Sequence, residues 1–435
     1  MSKIASYFQF KELGTSFKTE VIAGLTTFVA MSYILFLNPN VLSAAGMDKG
    51  AVFTATAISA AVATLFMGLV AKYPIAIAPG LGVNAYFAYS VVIGMGVSWQ
   101  TAIAGILVAA LIFLALTLTH VREKIIHAIP ANLRIAIAAG IGLFIAFIGL
   151  HNAGLIVANP ETMVAMGNLT EKTTLLSIFG IALTLILIIK KVPAAIFFGM
   201  VGTTIVGIVT GLIAMPKAIF APAPSLAPTF GQAWMHLGDI NTFGMIVTAL
   251  TFLIVVFFDT AGTLIGLTEQ AGMLENGKMP RAGRALMADA VGMTVGATLG
   301  TSPTSAFVES SSGMAVGGRS GFASVVTAGF FALALFFSPL LAVVTSQVTA
   351  PALIVVGILM ANNLKKIQWE DMAMAAPAFL IVIGMPLTYS ISDGIALGFI
   401  AYPITMIAAK RGKEVNMFMY ALALIFVAFL FYTHH

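Results

Sequence analysis

The segment Val255 to Gly266, VVFFDTAGTLIG, sets a carboxylic acid, Asp259, near the centre of the apolar run from Phe243 to Leu267. A carboxylate in the middle of a bilayer costs roughly 2.5–3.5 kcal/mol on insertion scales, so it is rare without a purpose. A second acid, Glu309, stands in TSPTSAFVESSSG, a stretch too broken by small and polar residues for an ordinary span. It has Ser310, Ser311 and Ser312 beside it and no basic residue within its segment. Two intramembrane acids of this kind point to a site for a polar solute and a proton. The competing reading makes each a structural acid held by a backbone amide or a hydroxyl.

Other residue types fit the same chemistry. Asn84 offers a donor and an acceptor, as the edge of a purine or pyrimidine does, although a half-helix cap is the alternative. Tyr86, Phe87, Phe257 and Phe258 offer flat faces, and stacking is worth roughly 1–3 kcal/mol per base. Each of these also reads as ordinary packing. Thr260 and Thr263 flank Asp259. Asp289 follows Arg281 and Arg284 near a helix start, which favours a structural ion pair. The six His fall in loops or at span ends, so they are poor proton carriers, and no His/acid cluster has metal-ligand spacing. PGLG and GMAVGGRSG lack the Gly-Lys-Ser/Thr ending of a phosphate loop. The chain has no Cys, which excludes disulfides and thiol chemistry. No metal or cofactor is expected.

The elements that hold these residues are membrane helices. Of the 435 residues, 60% are hydrophobic and 9% are charged, against about 25% charged in soluble domains. Apolar runs near 20 residues recur, continuous rather than alternating, so the chain is an all-α polytopic protein and not a β-barrel. The N-terminus has no short apolar core or cleavage site and reads as no signal peptide. Spans are expected at 19–38, 51–71, 98–119, 131–151, 172–190 and 193–214, with an irregular segment at 80–93. After a Pro-rich linker come 243–267, 284–300, the broken 304–316, 319–343, 349–364, 372–388 and 394–409. With the N-terminus inside, eighteen of the 21 Lys and Arg residues fall on the cytoplasmic side, leaving Lys49, Lys172 and Lys217 outside. That bias sets the orientation, and it explains the net charge of +5 without nucleic acid. The topology needs fourteen crossings, with 415–433 as a surplus span or interfacial helix.

Seven segments, a linker and seven more suggest a duplication with halves in opposite orientation. The third segment of each half begins with Pro and reaches a polar side chain: Pro79 to Asn84, and Pro303 to Glu309. Paired interrupted segments point to a transport site; two Pro-kinked helices are the bland alternative. The chain divides into a cytoplasmic N-terminus (1–18), a first repeat (19–214), a linker (215–242), a second repeat (243–410) and a hydrophobic C-terminal extension (411–435).

At these residues the chain resembles the AzgA-like purine permeases, a branch of the nucleobase–ascorbate (xanthine/uracil) transporter superfamily. The likeness runs over nearly the whole length, through FKELGTSFKTEVIAGLTTFVAMSYILFLNP, YPIAIAPGLGVNAYFAYSVV, SLAPTFGQA, FFDTAGTLIG, PRAGRALMADA, GTSPTSAFVESSSGMAVGGRSGF and PLTYSISDGIALGFI. The greatest likeness is to bacterial hypoxanthine/guanine permeases. The resemblance implies fourteen segments in two inverted repeats of seven, with a core domain that carries the site and a gate domain that moves against it. It implies short strands followed by half-helices in the third and tenth segments. Family acids map onto Asp259 and Glu309, and the polar position of the third segment onto Asn84. Substrate contacts are then expected at Asp259, Glu309, Asn84, Phe87, Phe258 and Thr263, and proton coupling at Glu309 and Asp259.

The expected function is import of hypoxanthine and guanine across the cytoplasmic membrane by proton symport and alternating access. Family members often work as homodimers. An adenine or broader purine permease is the alternative within the class. A membrane-embedded hydrolase lacks a Ser-His pair in the spans and a metal cluster. A passive channel differs by lacking the coupling.

Overall fold

The computed structural model describes residues 3–119, 129–240, 242–274 and 279–433, without the side chains of Phe258, Gln270, Tyr432 and Thr433. His120, His127, His434 and His435 lie outside the described residues. His151 ends a helix and His236 pairs with Asp239 at 2.7 Å in the linker.

The chain is an all-α polytopic membrane protein. Among the described residues, nine helices are long and apolar enough to cross a membrane, and four shorter ones are apolar. The first run is two helices, α1 (Phe17–Met31) and α2 (Ile34–Ala44), broken at Ser32–Tyr33. After α3 (Lys49–Phe66), with a π turn at Met67–Ala71, the chain straightens into a strand, β1 (Ile77–Pro79). It then turns at Gly80 into α4 (Leu81–Ala85), which widens to a π-helix at Tyr86–Gly94. Helix α5 (Trp99–Leu118) follows, then α6 (Ala131–Asn152), an exposed hairpin of β2 (Ile156–Asn159) and β3 (Met163–Met166), α7 (Lys172–Ile189) and α8 (Ala195–Val209).

The second half opens with α9 (Phe243–Gln270) and α10 (Ala282–Leu299). The strand β4 (Thr304–Ala306) and the six-residue helix α11 (Ser310–Ala315) come next. Then come α12 (Gly321–Ala334), α13 (Ser346–Ala361), α14 (Met372–Thr388), α15 (Ile391–Ala408) and α16 (Met417–Thr433). The surplus run is therefore a helix, and it packs on α15 and α9.

Two packed groups emerge. In one, α10 lies on α3 and α5, α12 on α1 and α3, and α9 on α5. In the other, α6 lies on α13 and α14, α7 on α8 and α13, and α14 on α15. Bare glycines set the closest crossings, because lipid-embedded helices gain most from close backbone approach. A Cβ on Gly321 would sit 2.1 Å from the Gly68 carbonyl, and one on Gly357 2.6 Å from the Gly142 carbonyl.

The short strands β1 and β4 pair antiparallel, with Ile77 opposite Ala306, Ala78 opposite Ser305 and Pro79 opposite Thr304. All six residues are buried. Extended backbone inside a bilayer must find partners within the protein, and it does. Gly80 N–H donates to the Pro303 carbonyl at 2.9 Å and Phe307 N–H to the Ala76 carbonyl at 3.0 Å. The Thr64 hydroxyl donates to the Ile77 carbonyl and accepts from its N–H, and Ser310 Oγ accepts from Ala76 N–H.

Candidate functional site

Both acids gather at the strand pair. Glu309 lies in the turn between β4 and α11, partly exposed. Its Oε1 accepts from the Tyr33 hydroxyl at 2.5 Å, and its own backbone N–H also faces the carboxylate. An O–H···O contact of this length belongs to the charge-assisted range. Tyr33 stands at the break between α1 and α2, so that break delivers a donor to the acid.

Asp259, midway along α9, is also partly exposed. Its carboxylate faces the Ser305 hydroxyl of β4, and it lies close enough to Glu309 for the two charges to interact. Among the described residues neither acid has a cation within ion-pair distance. The nearest basic residue in sequence, Arg319, donates instead to the Met314 and Gly318 carbonyls at the end of α11.

The face of α9 that carries Asp259 continues through Gly262, Thr263 and Gly266, at helical spacing. Thr263 is partly exposed and the two glycines are exposed, with open space where their Cβ atoms would be. A lipid-facing stripe would be apolar; this one is small and polar, as a wetted wall is.

The remaining candidates divide. Asn84 is fully buried in α4, bonded through Nδ2 to Asn38 Oδ1 at 3.0 Å. Phe87 is fully buried within the apolar core. The Phe258 side chain lies outside those described. Phe257 packs edge-on against Phe113 of α5, at 6.1 Å between centroids, and so does core work. Tyr86 is fully buried against Phe252 at 4.8 Å, with its hydroxyl 3.2 Å from Ser392 Oγ. The α11 amides are spent locally: those of Ser310, Ser311 and Ser312 donate to the carbonyls of Phe307, Val308 and Glu309.

Sequence reasoning missed Tyr33, Asn38 and Glu20, and it read Asp289 as a partner for the nearby arginines. Asp289 is fully buried inside α10, and its oxygens accept from Thr260 at 2.6 Å and Thr304 at 3.0 Å. Arg281, expected beside it, lies over the Tyr73 ring. Tyr33 and Asn38 had a faint signal, as polar residues within an apolar run. Glu20, fully buried, accepts from the amides of Arg319, Ser320 and Ala323 and caps α12 from a distant helix. A cavity of about 700 Å³ lies elsewhere, among α14, α15 and α16, lined by Thr388, Asp393 and Leu397 with apolar neighbours; neither site acid lines it.

Comparison with known proteins agrees with this architecture. Solved structures supply the fold: the transmembrane domain of a cyanobacterium bicarbonate transporter, BicA, superposes with a TM-score of 0.62 at 15% identity, covering 88% of this chain and 97% of that one. The chain is 55% identical to the guanine/hypoxanthine permease PbuG of Bacillus subtilis (strain 168), over 98% of this chain and 99% of that protein. It is 43% identical to the adenine permease AdeP of Escherichia coli (strain K12), over 97% and 94%. The model of the xanthine/uracil permeases, described as a permease family, matches residues 18–397. The chain belongs to that permease family.

Proposed function

We propose that this protein imports purine nucleobases, hypoxanthine and guanine, across the cytoplasmic membrane by proton symport. The observation that carries the reading is the meeting of two acids, Asp259 and Glu309, with no cation in ion-pair reach among the described residues, at a strand pair buried between helices. An ionised carboxylate there accepts from the N1–H of an oxopurine and, in guanine, from the exocyclic amine. Asn84, Phe87, Phe258 and Thr263 complete the proposed contacts. Because the amides at the start of α11 are used in its own turn, the acids rather than that helix end do the recognising. Relatives named as guanine/hypoxanthine permeases support the substrate class.

Coupling follows from the same acids. A carboxylate that takes up a proton on one side and releases it on the other adds the membrane field to the uptake of a neutral base. One charge across ~100 mV is worth about 2.3 kcal/mol, which is roughly 50-fold accumulation per proton at ~1.4 kcal/mol for each factor of ten. Alternating access is proposed between the two packed groups, core and gate, arranged as inverted repeats of residues 19–214 and 243–410 about the linker 215–242. Residues 1–18 would be cytoplasmic and 411–435 an extension. The open stripe from Asp259 to Gly266 runs toward the end of α9 that the Lys/Arg bias assigns to the cytoplasm. On the opposite side, Tyr86 and Ser90 bond to Ser392 and the Tyr389 carbonyl. That combination supports an inward-open state. A homodimer is the assembly proposed, on family resemblance.

The test is uptake of labelled hypoxanthine into proteoliposomes with an imposed proton gradient. Accumulation above equilibrium that collapses with an uncoupler is expected. Equilibration unaffected by the uncoupler would favour a passive channel.

A further inference from the structure

Asn38 sits fully buried in the middle of α2, and every hydrogen-bonding group of its amide is in use. Nδ2 donates to Thr56 Oγ1 of α3 and to Thr301 Oγ1, each at 2.8 Å. Oδ1 accepts from Ser302 Oγ at 2.9 Å and from Asn84 Nδ2 at 3.0 Å. An amide has two donor hydrogens and an oxygen with two lone pairs, so Asn38 is saturated. It joins α2, α3 and α4 to the two residues, Thr301 and Ser302, that lead into β4. Asn84 is not saturated: its Oδ1 is buried and has no partner among the described residues.

The neighbouring hydroxyls decide which end of each amide is oxygen. Thr56 Oγ1 and Thr301 Oγ1 lie 3.3 Å apart, so one donates to the other. Each hydroxyl has a single hydrogen. With the Asn38 NH₂ facing them, both threonines accept and their mutual bond is kept. A reversed Asn38 would need both hydroxyls to donate to it, and that bond would be lost. The Asn38 oxygen therefore faces Asn84, and Asn84 must present its NH₂. Its carbonyl is left as an unused acceptor, on a helix that contacts α9.

We infer that Asn38 is a positioning residue: it fixes the Asn84 amide so that Asn84 Oδ1 accepts an N–H from the transported nucleobase. The inference rests on the purine-transport reading and deepens it by assigning the polarity of the third-segment contact. Asn38 itself touches no substrate.

A double-mutant cycle tests this, with labelled hypoxanthine uptake in proteoliposomes and melting temperatures measured on the same preparations. Asn38→Ala should raise KM about tenfold, the scale of one lost buried hydrogen bond, with Vmax much less changed. Asn84→Ala should do at least as much, and the double variant should be no worse than Asn84→Ala alone, because both act through one amide. Asn38→Asp keeps the oxygen that receives the Asn84 NH₂, while the threonine hydroxyls turn to donate, so it should hold a near wild-type KM. Additive effects on KM in the double variant, or an Asn38→Ala change confined to melting temperature and Vmax, would overturn the inference. An unchanged KM in Asn84→Ala would also overturn it, leaving a bound water as the partner of Oδ1. Should Asn38→Ala fail to assemble, Asn38→Ser carries the same comparison, since its shorter side chain does not reach Asn84. If wild-type protein takes up no hypoxanthine, the transport reading fails instead.

Discussion

Glu309 and Asp259 share a place but not a setting. Glu309 is held by the Tyr33 hydroxyl, whereas Asp259 faces only the Ser305 hydroxyl of the paired strand. Glu309→Gln keeps the size and one acceptor but cannot carry a proton. It is expected to bind hypoxanthine and to lose proton-driven accumulation, or to lose both. Binding and uptake measured in parallel check this, and wild-type accumulation by the amide would remove Glu309 from the coupling. Asp259→Ala is expected to abolish uptake while the folded protein stays in the membrane, because deleting the acid relieves an insertion cost of about 2.5–3.5 kcal/mol. Saturable uptake by that variant would mark Asp259 as structural. Both acids were legible in the sequence because a carboxylate stands out in an apolar run. The pairing of Tyr33 with Glu309 was not, since the two lie 276 positions apart.

At the scale of elements, distant side chains finish what local sequence leaves open. Helix α12 begins after a glycine-rich turn, and Glu20 of α1 takes the amides of Arg319 and Ser320 just before it and of Ala323 in its first turn. Glu20→Ala leaves three amides without that acceptor. At about 1 kcal/mol for each, roughly 3 kcal/mol of stability should go. Glu20→Gln, which keeps one oxygen, should lose less. Melting of detergent-solubilised protein measures both, and an unchanged midpoint for Glu20→Ala would show that water replaces the cap. Gly321→Ala meets backbone rather than a flexible side chain. It should cost about 1–3 kcal/mol or more by overpacking and lower the yield of folded protein. Wild-type melting would mean that α3 and α12 can separate without loss. Helix positions followed from apolar run length, but the strand pairing did not. Ile77–Pro79 and Thr304–Ala306 are too short for a periodic signal, and their partners, each other and side chains such as Thr64 and Asp289, come from distant positions.

For the whole molecule, the substrate is the sharpest question. Hypoxanthine and guanine present N1–H beside a carbonyl, whereas adenine presents a bare N1 beside an amine. A carboxylate that accepts from N1–H meets a lone pair in adenine, and buried groups left unpaired cost about 1–3 kcal/mol each. Unlabelled guanine should therefore block labelled hypoxanthine uptake at a concentration at least roughly tenfold below that needed for adenine. Equal or stronger competition by adenine would favour the adenine assignment and leave the transporter reading intact. The comparison has force because relatives named for guanine/hypoxanthine and for adenine both align over nearly the full chain.

The sequence by itself determined that this is a helical membrane protein with two acids where lipid-facing chains have none. Burial of a charge and the length of an apolar run are properties of a residue and its near neighbours, so both are written locally. The tertiary structure decided what surrounds those acids. It brought Ser305 to Asp259 and Tyr33 to Glu309, spent the α11 amides on their own turn, and turned Phe257 into the core. It also gave Asn38 the role of orienting Asn84. Most of these outcomes depend on which groups meet between separate elements, as far as 276 positions apart in Tyr33 and Glu309. In a bilayer no water completes the partners left over, so only the folded arrangement fixes them.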